Sequence, residues 1–455
     1  MDRFAFYQLE IWLKKNNKKP IIIRGARQVG KSTLIRLFAK KKGLILHEIN
    51  LERNTQLQEV FASLNPAAIL QELELVIKKG PITSKSCLVF LDEIQAIPEA
   101  IQSLRYFYED IPEIAIVAAG SLMEFALAEK KFSMPVGRVD YLWLGPVSFN
   151  EFLLNAGDEE ILKYKSNYNV NAKEFSLTCH NQCLKRLKEY NLTGGMPESV
   201  VTYFENKSLT TAAESLTSII NTYRDDIGKY AQREQFLLVQ KVFDYLAKGN
   251  GKKIKYSHIS MDHKARYVSN AVDLLNMAQV IFKTRHTSGN GVPLASESSE
   301  KHFKSYFLDV GLFHKLCGVR NLVMDKDYIN KGVAAEQFIA QHLAYLNGSA
   351  NRPELFYWIR EAKTGNAETD FLHVHENNVI PVEVKAGKSG TLKSLQQFCF
   401  EKQSKLAIRY DLNRPSFHEI KMNITTKKGL REVSFTLLSL PLYMVEETNS
   451  ILDKR

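Results

Sequence analysis

The chain has 455 residues, too many for one ordinary hydrophobic core, so about two to four domains are expected. Hydrophobic residues make up 45% and charged residues 24%, and the longest apolar runs, such as IAIVAAG at 114–120, are far too short to cross a bilayer, which excludes a membrane-spanning reading. The net charge of +11 suits an acidic partner such as nucleic acid, but it is spread along the chain and serves solubility equally well.

The first twenty residues read as an amphipathic helix ending in a basic turn, without the pattern of a secretory signal. Cys87, Cys179, Cys183, Cys317 and Cys399 are scattered and odd in number, which argues against a disulfide framework and for a reducing, cytoplasmic setting. The CHNQC stretch at 179–183 lacks a second ligand pair and is not counted as a zinc site.

Residues 20–40, PIIIRGARQVGKSTLIRLFAK, run from a buried strand through Gly25, Ala26, Arg27, Gln28, Val29, Gly30, Lys31, Ser32 and Thr33 into an apolar-periodic helix. This is G-x-x-x-x-G-K-[ST] in the strand–loop–helix setting that the phosphate loop needs. The glycines let backbone N–H groups wrap phosphates at a helix N-terminus, where the dipole favours anions. Lys31 would reach the β- and γ-phosphates of ATP, and Ser32 would hold Mg²⁺. A second strand, Cys87–Leu91, ends in Asp92 and Glu93, the pattern of a Walker B strand. Asp92 would bind the Mg²⁺ shell and Glu93 would orient or deprotonate the attacking water. A third strand, Ile114–Ala118, leads to Gly120 and Ser121, which makes Ser121 a candidate sensor of the γ-phosphate or the water.

The stretch GRVDYLWLGPVSFNEFL follows at 137–153. With GARQVGKST, LDEIQ, the AAGS strand end, this GR and PVSFNEF, and LTGGMPE further on, the chain resembles the prokaryotic AAA-type P-loop ATPases that carry a C-terminal domain of uncharacterised function. The likeness extends over almost the whole chain. It implies an ATPase core, a helical lid, a winged helix and a nuclease-like tail, and no particular cellular role. Arg138 could complete the nucleotide site of a neighbouring subunit in a homo-oligomer, as arginine fingers do, or pair with a local acid; both stay open. Gly194-Gly195-Met196-Pro197 resembles the lid turn that approaches nucleotide in this family, although the residues alone indicate only a loop.

Residues 150–230 read as helices broken by polar loops at 155–173 and 191–197. From 231 to 292 the pattern is three helices, a strand (280–286) and a polar turn, the outline of a winged helix-turn-helix. Between Gly249 and Asn290 there are seven Lys/Arg against two Asp/Glu, which makes DNA contact through Lys252, Lys253, Lys255, Lys264, Arg266, Lys283 and Arg285 one expectation. A packing module that relays the ATPase state is the other.

LDVGL at 308–312 resembles the family's junction into its last domain. In the helix predicted over 331–346, Glu336 shares an apolar face with Ile339, Leu343 and Leu346, an unusual place for a carboxylate because an unpaired buried charge is costly. Next come a strand at Phe356–Ile359 and the hairpin TDFLHVHENNVIPVEVKAG at 369–387. With Asn377 and Asn378 as its loop, Asp370 lies opposite Lys385 and diagonal to Glu383, all three on one face, and His373 and His375 fall on the other. A helix glutamate, a strand aspartate and Glu-x-Lys on the next strand is the order of the PD-(D/E)xK nuclease fold. That resemblance makes Glu336, Asp370 and Glu383 ligands of Mg²⁺ or Mn²⁺ and Lys385 the residue that positions water. A cross-strand Asp370–Lys385 ion pair is the plainer alternative.

The expected fold is α/β: a P-loop parallel-sheet core (1–155), a helical lid (156–230), a winged helix (231–292) and a restriction-endonuclease-like α/β domain (293–455). The expected function is that of an ATP-hydrolysing AAA-type machine that acts on nucleic acid, its nuclease-like tail gated by nucleotide state. The alternative is an ATP-dependent switch or scaffold whose tail binds a partner without cleaving it.

Overall fold

The computed structural model describes residues 1–83, 86–121, 123–124, 134–169, 174–230, 233–318, 332–360, 367–385, 392–426 and 429–454. The chain divides into two compact units, the first comprising Met1–Pro146 with Met277–Gln279 and Gly348–Arg352, and the second the remainder.

The first unit is built on β1 (Ile21–Arg24), β2 (Ile45–Asn50), β3 (Cys87–Asp92), β4 (Ala115–Ala119) and β5 (Asp140–Trp143), all parallel in the order β2-β3-β4-β1-β5. The unbroken apolar runs of β1, β3 and β4 suit strands covered on both faces, and β3 and β4 are buried throughout. Ile23 and Asp92 both align with Ala119, so these three strands end at one level. The segments that follow them therefore gather at the carboxyl edge of the sheet, where ligands of open α/β sheets bind. The helix Lys31–Lys42 opens directly after Gly30. Lys40, Lys41 and Lys42 lie in its last turn, where cations suit the dipole, and a left-handed Gly43 ends it.

The second unit packs helices, among them Phe149–Asn155, Leu177–Thr193, Pro197–Asn206, Leu209–Tyr230, Arg233–Lys248, Ala265–Met277 and Gly332–Leu343, with a mixed eight-stranded sheet. Its strands are β6 (Ile281–Thr287), β7 (Ser298–Phe307), β8 (Phe356–Arg360), β9 (Ala367–His375), β10 (Asn378–Val384), β11 (Leu406–Asp411), β12 (Ser416–Thr426) and β13 (Gly429–Pro441), in the order β12-β13-β11-β10-β9-β8-β6-β7. The boundary placed from the sequence between residues 292 and 293 falls inside the β6–β7 hairpin. β6 also pairs with β8 through Arg285 and His286. One hydrogen-bonded sheet thus runs across that boundary, and the expected wing strand belongs to the same layer as the tail.

The hairpin also turns one residue earlier than expected. Asn378 pairs with His375, so Glu376 and Asn377 form the loop, with Glu376 at φ 52°. Carried on from the pair Val382–Phe371, this register sets Asp370 across from Glu383 rather than from Lys385. Moving the turn by one residue shifts the pairing by two, which leaves every side chain on its face; alternation alone cannot tell the two registers apart.

A buried polar seam ties the helices to the C-terminal part of this unit. The Tyr190 hydroxyl donates to Val147 O (2.6 Å) and accepts from Gln341 Nε2 (2.8 Å), and Gln341 Oε1 accepts from Val310 N. Gln337 bonds both backbone groups of Phe307, and His342 Nε2 accepts from Phe149 N. Asp309, buried, accepts from Gly195 N (2.5 Å) and from Leu312 N (3.0 Å). Gly194 has φ +66°, and a Cβ there would lie 2.2 Å from Asp309 Oδ1, so glycine is needed both for the backbone and for the approach. The Gly194-Gly195 turn and LDVGL, more than a hundred residues apart, form one contact.

Asp309→Ala should destabilise the full chain by about 2–4 kcal/mol in urea unfolding, because two buried N–H groups lose their acceptor. An unchanged midpoint would contradict this account of the seam.

Candidate functional site

The loop from Gly25 to Gly30 is shaped for phosphate. Gly25 takes φ +149°, and a Cβ on it would lie 2.2 Å from Leu144 O; Gly30 caps the helix at φ 90°. Ala26 and Val29 are buried, Arg27 and Gln28 half-buried and Thr33 exposed. Arg3, which nothing in the local pattern marks, holds the loop from beneath: its guanidinium donates to Val29 O (3.2 Å), Gly145 O (2.8 Å) and Pro146 O (3.3 Å).

Lys31 is buried, and its Nζ donates to Gly25 O (2.9 Å) and Ala26 O (2.8 Å). Burial pushes its ammonium down to about 8 in spite of Glu93 and Asp92 nearby. A cation held by neutral carbonyls is one that an anionic phosphate would stabilise. Ser32 Oγ donates to Asp92 Oδ2 (3.0 Å), and burial raises the Asp92 carboxyl. The two oxygens are hard ligands side by side, a donor set that fits Mg²⁺. Glu93 follows at φ 51°, and its Oε2 accepts from Gln95 Nε2 (2.7 Å) and, at 3.4 Å, from Ser121 N and Oγ. The structure thus brings together Lys31, Ser32, Asp92, Glu93 and Ser121. It adds Gln95, which lies in LDEIQ but was not singled out. Arg138 is bonded to Glu109 Oε1 (2.7 Å), the local-acid alternative.

In the second unit the hairpin carboxylates meet cations from the same sheet. Lys304 on β7, buried, lies 2.5 Å from Glu368 Oε1 and 3.8 Å from Asp370 Oδ1. Asp370 Oδ2 accepts from Val384 N (2.7 Å), Lys385 is bonded to Glu383 Oε1, and Tyr306 donates to Glu336 Oε2 (3.1 Å). Burial, and then the charge of Asp370, push Glu336 up to about 8 and Glu383 up to about 7. Burial raises Asp370 as well, although Lys304 pulls it down. Lys304 itself ends above the usual lysine value, because Asp370, Glu336 and Glu368 outweigh its burial.

Glu336, Asp370 and Glu383 therefore feel one another. Among the described residues no group of three or more Asp, Glu, His or Cys side chains is placed to hold a metal ion. Lys304 and Lys385 hold the carboxylate oxygens instead. One atom, Glu383 Oε2, is buried without a hydrogen-bond partner among the described residues. Lys304, Tyr306 and Glu368 were missed: β7 reads SSEKHFKSYF, so Lys304 is one polar residue among several and nothing in the local pattern sets it apart. His373 bonds Asn449 Oδ1 (2.8 Å) and His375 faces Asp453, both away from the cluster.

Of the basic residues expected to face DNA, Lys252, Lys255, Lys264 and Arg266 are exposed, beside Met261 and Tyr267, and Lys253 is half-buried. Lys283 is buried on Asp273 (2.8 Å), and Arg285 pairs with Glu354 (2.7 Å). Lys283 is thus paired with an acid of its own module and Arg285 with one that lies just ahead of β8.

Residues 17–153 match a family model described as an AAA domain; residues 184–323 and 331–428 match two models described as domains of unknown function, DUF8612 and DUF4143. A 101-residue stretch is 32% identical to midasin of Giardia intestinalis; it is 21% of this chain, which spans only 2% of that relative. Among solved structures, the ORC2 protein of Aeropyrum pernix aligns over 70% of this chain and 93% of its own at 11% identity, with a TM-score of 0.38. The RuvB Holliday junction branch migration motor of Thermotoga maritima aligns over 62% and 90% at 15% identity, with a TM-score of 0.29. At such scores neither defines the fold of the whole chain. The AAA-domain match spans the phosphate loop, Asp92, Glu93, Ser121 and Arg138: the chain carries an AAA-type, ATP-binding P-loop ATPase core. Among the described residues no helix is long and apolar enough to cross a membrane.

Because phosphate needs the protonated Lys31, ATP affinity should be full below pH 8 and fall as pH rises past it, by about tenfold at pH 9 relative to pH 7. Titration with a fluorescent nucleotide reads this, and a flat profile would contradict it. Glu93→Gln should bind ATP normally and lose turnover by about 100-fold or more, the usual contribution of a general base.

Proposed function

We propose that this chain is an ATP-hydrolysing AAA-type ATPase that acts on nucleic acid in the cytoplasm, its nucleotide state governing what the second unit does there. The observation that carries the nucleic-acid part is the exposed basic set Lys252, Lys255, Lys264 and Arg266 on the helix–hairpin module. Phosphate contacts from such cations supply affinity without sequence preference. The helices Arg233–Lys248, Tyr256–Ile259 and Ala265–Met277 and the β6–β7 hairpin support a winged-helix reading, in which Ala265–Met277 would be the helix presented to the duplex.

In the ATPase core, Lys31 and the loop amides bind and orient the phosphates, Ser32 and Asp92 would hold Mg²⁺, and Glu93 takes the proton of the attacking water. Mg²⁺ supplies charge neutralisation across the phosphates when bound. Gln95 and Ser121 hold the Glu93 carboxylate, so its alignment depends on them. A neighbouring subunit's Arg138 reaching this site would require its bond to Glu109 to break.

For the tail, the helix-Asp-Glu-x-Lys order supports a nuclease-like domain whose carboxylates would hold metal. A specific observation favours the second reading, a tail that binds without cutting: lysine ammoniums face those carboxylates. No catalytic step is assigned to a metal there.

Lys264→Glu with Arg266→Glu should weaken binding of a labelled duplex by tenfold or more and lower the slope of log affinity against log salt by about 2. Wild-type affinity in the double variant would remove the module from the interface. DNA cleavage in Mg²⁺ or Mn²⁺ that disappears in Asp370→Ala would establish the cutting tail, whereas intact ATP turnover without cleavage would support the binding one.

A further inference from the structure

We propose that Lys304 is the resident cation of the carboxylate cluster: its ammonium takes the place of a divalent metal at Glu368 and Asp370, and the cluster gains a metal site only when that charge is removed. This rests on the reading in which the tail binds without cutting.

The placement is specific. The Lys304 side chain is 3% exposed, and its nitrogen lies 2.5 Å from Glu368 Oε1 and 3.8 Å from Asp370 Oδ1, with the Tyr357 ring centroid at 5.2 Å. A lysine so buried keeps its charge only when carboxylates surround it. Asp370, the acid at the centre, has Lys304 near one oxygen and the Val384 N–H on the other. A divalent ion ligated by Asp370 Oδ1 would therefore sit against an ammonium that cannot move into water. Two residues along β7, on the same face, Tyr306 occupies Glu336 Oε2. The loop ahead of the exposed lysines closes the same side: Gly251, at φ +74°, donates to Ser305 O, and a Cβ on it would lie 2.9 Å from Glu336 Oε2. One strand of the helix–hairpin module thus neutralises the acids that the helix Gly332–Leu343 and β9 present. The cluster is a charge lock between these elements.

The test is Mn²⁺ binding by the nucleotide-free full chain, read by electron paramagnetic resonance, in wild type, Lys304→Met, Lys304→Arg and Asp370→Asn. Wild type and Lys304→Arg should show no Asp370-dependent binding at sub-millimolar Mn²⁺. Lys304→Met should bind more tightly by about tenfold or more, since removing a unit charge roughly 4 Å from a doubly charged ion gives that much even in water. Mn²⁺ should also raise the Tm of Lys304→Met and leave that of wild type unchanged. Sub-millimolar, Asp370-dependent binding by wild type would overturn the proposal, and this comparison stands even if Lys304→Met does not fold. A folded Lys304→Met that binds no more Mn²⁺ than wild type would overturn it too. Wild-type binding without DNA cleavage would sink the lysine assignment and leave the non-cutting tail standing; binding with cleavage would sink both.

Discussion

A charge taken out of water must meet an opposite charge or give up its ionisation, and the two units answer that constraint in opposite ways. Lys31 is buried among backbone carbonyls, and its ammonium falls to about 8. Lys304 is buried among carboxylates and rises above the ordinary lysine value. The first is a cation prepared for an anion that arrives with the ligand. The second already has its anions, which belong to the protein. The same residue type therefore marks a binding site in one unit and a structural lock in the other, and the difference lies in the neighbours.

The second unit gives that lock its setting. The β6–β7 hairpin is both the last part of the basic helix–hairpin module and the beginning of the eight-stranded sheet that continues to residue 441. The seam of Gln337, Gln341, His342 and Asp309 binds the helices of residues 149–206 to the same body. Glutamine suits a seam of this kind. Its amide satisfies a donor and an acceptor at once, so buried backbone groups from distant segments can be joined without adding net charge.

Much of the first site was legible because the phosphate loop and the Walker B strand are local in sequence: Gly25–Thr33 and Asp92-Glu93 each specify their own geometry. Arg3 and Gln95 were not, since Arg3 meets the loop through carbonyls of residues 29, 145 and 146, far from it in sequence, and Gln95 acts through where Glu93 points. The acidic cluster was half legible. Alternation placed Asp370, Glu383 and Lys385 on one face, but it could not give the register, because a shift of two preserves faces. The partner of Asp370 was out of reach for a different reason: Lys304 lies sixty-six positions upstream, and no local period connects them. The boundary drawn at 292/293 had the same cause. A polar turn within a hairpin and a linker between domains look alike until the pairing is known.

Coupling of ATP turnover to nucleic acid is tested most directly by steady-state ATP turnover with and without duplex DNA. Turnover that rises with DNA in wild type and stays flat when Lys264 and Arg266 are both changed to Glu is the predicted result. Wild-type turnover indifferent to DNA at low salt would contradict it, and the second unit would then be read as a module for a protein partner.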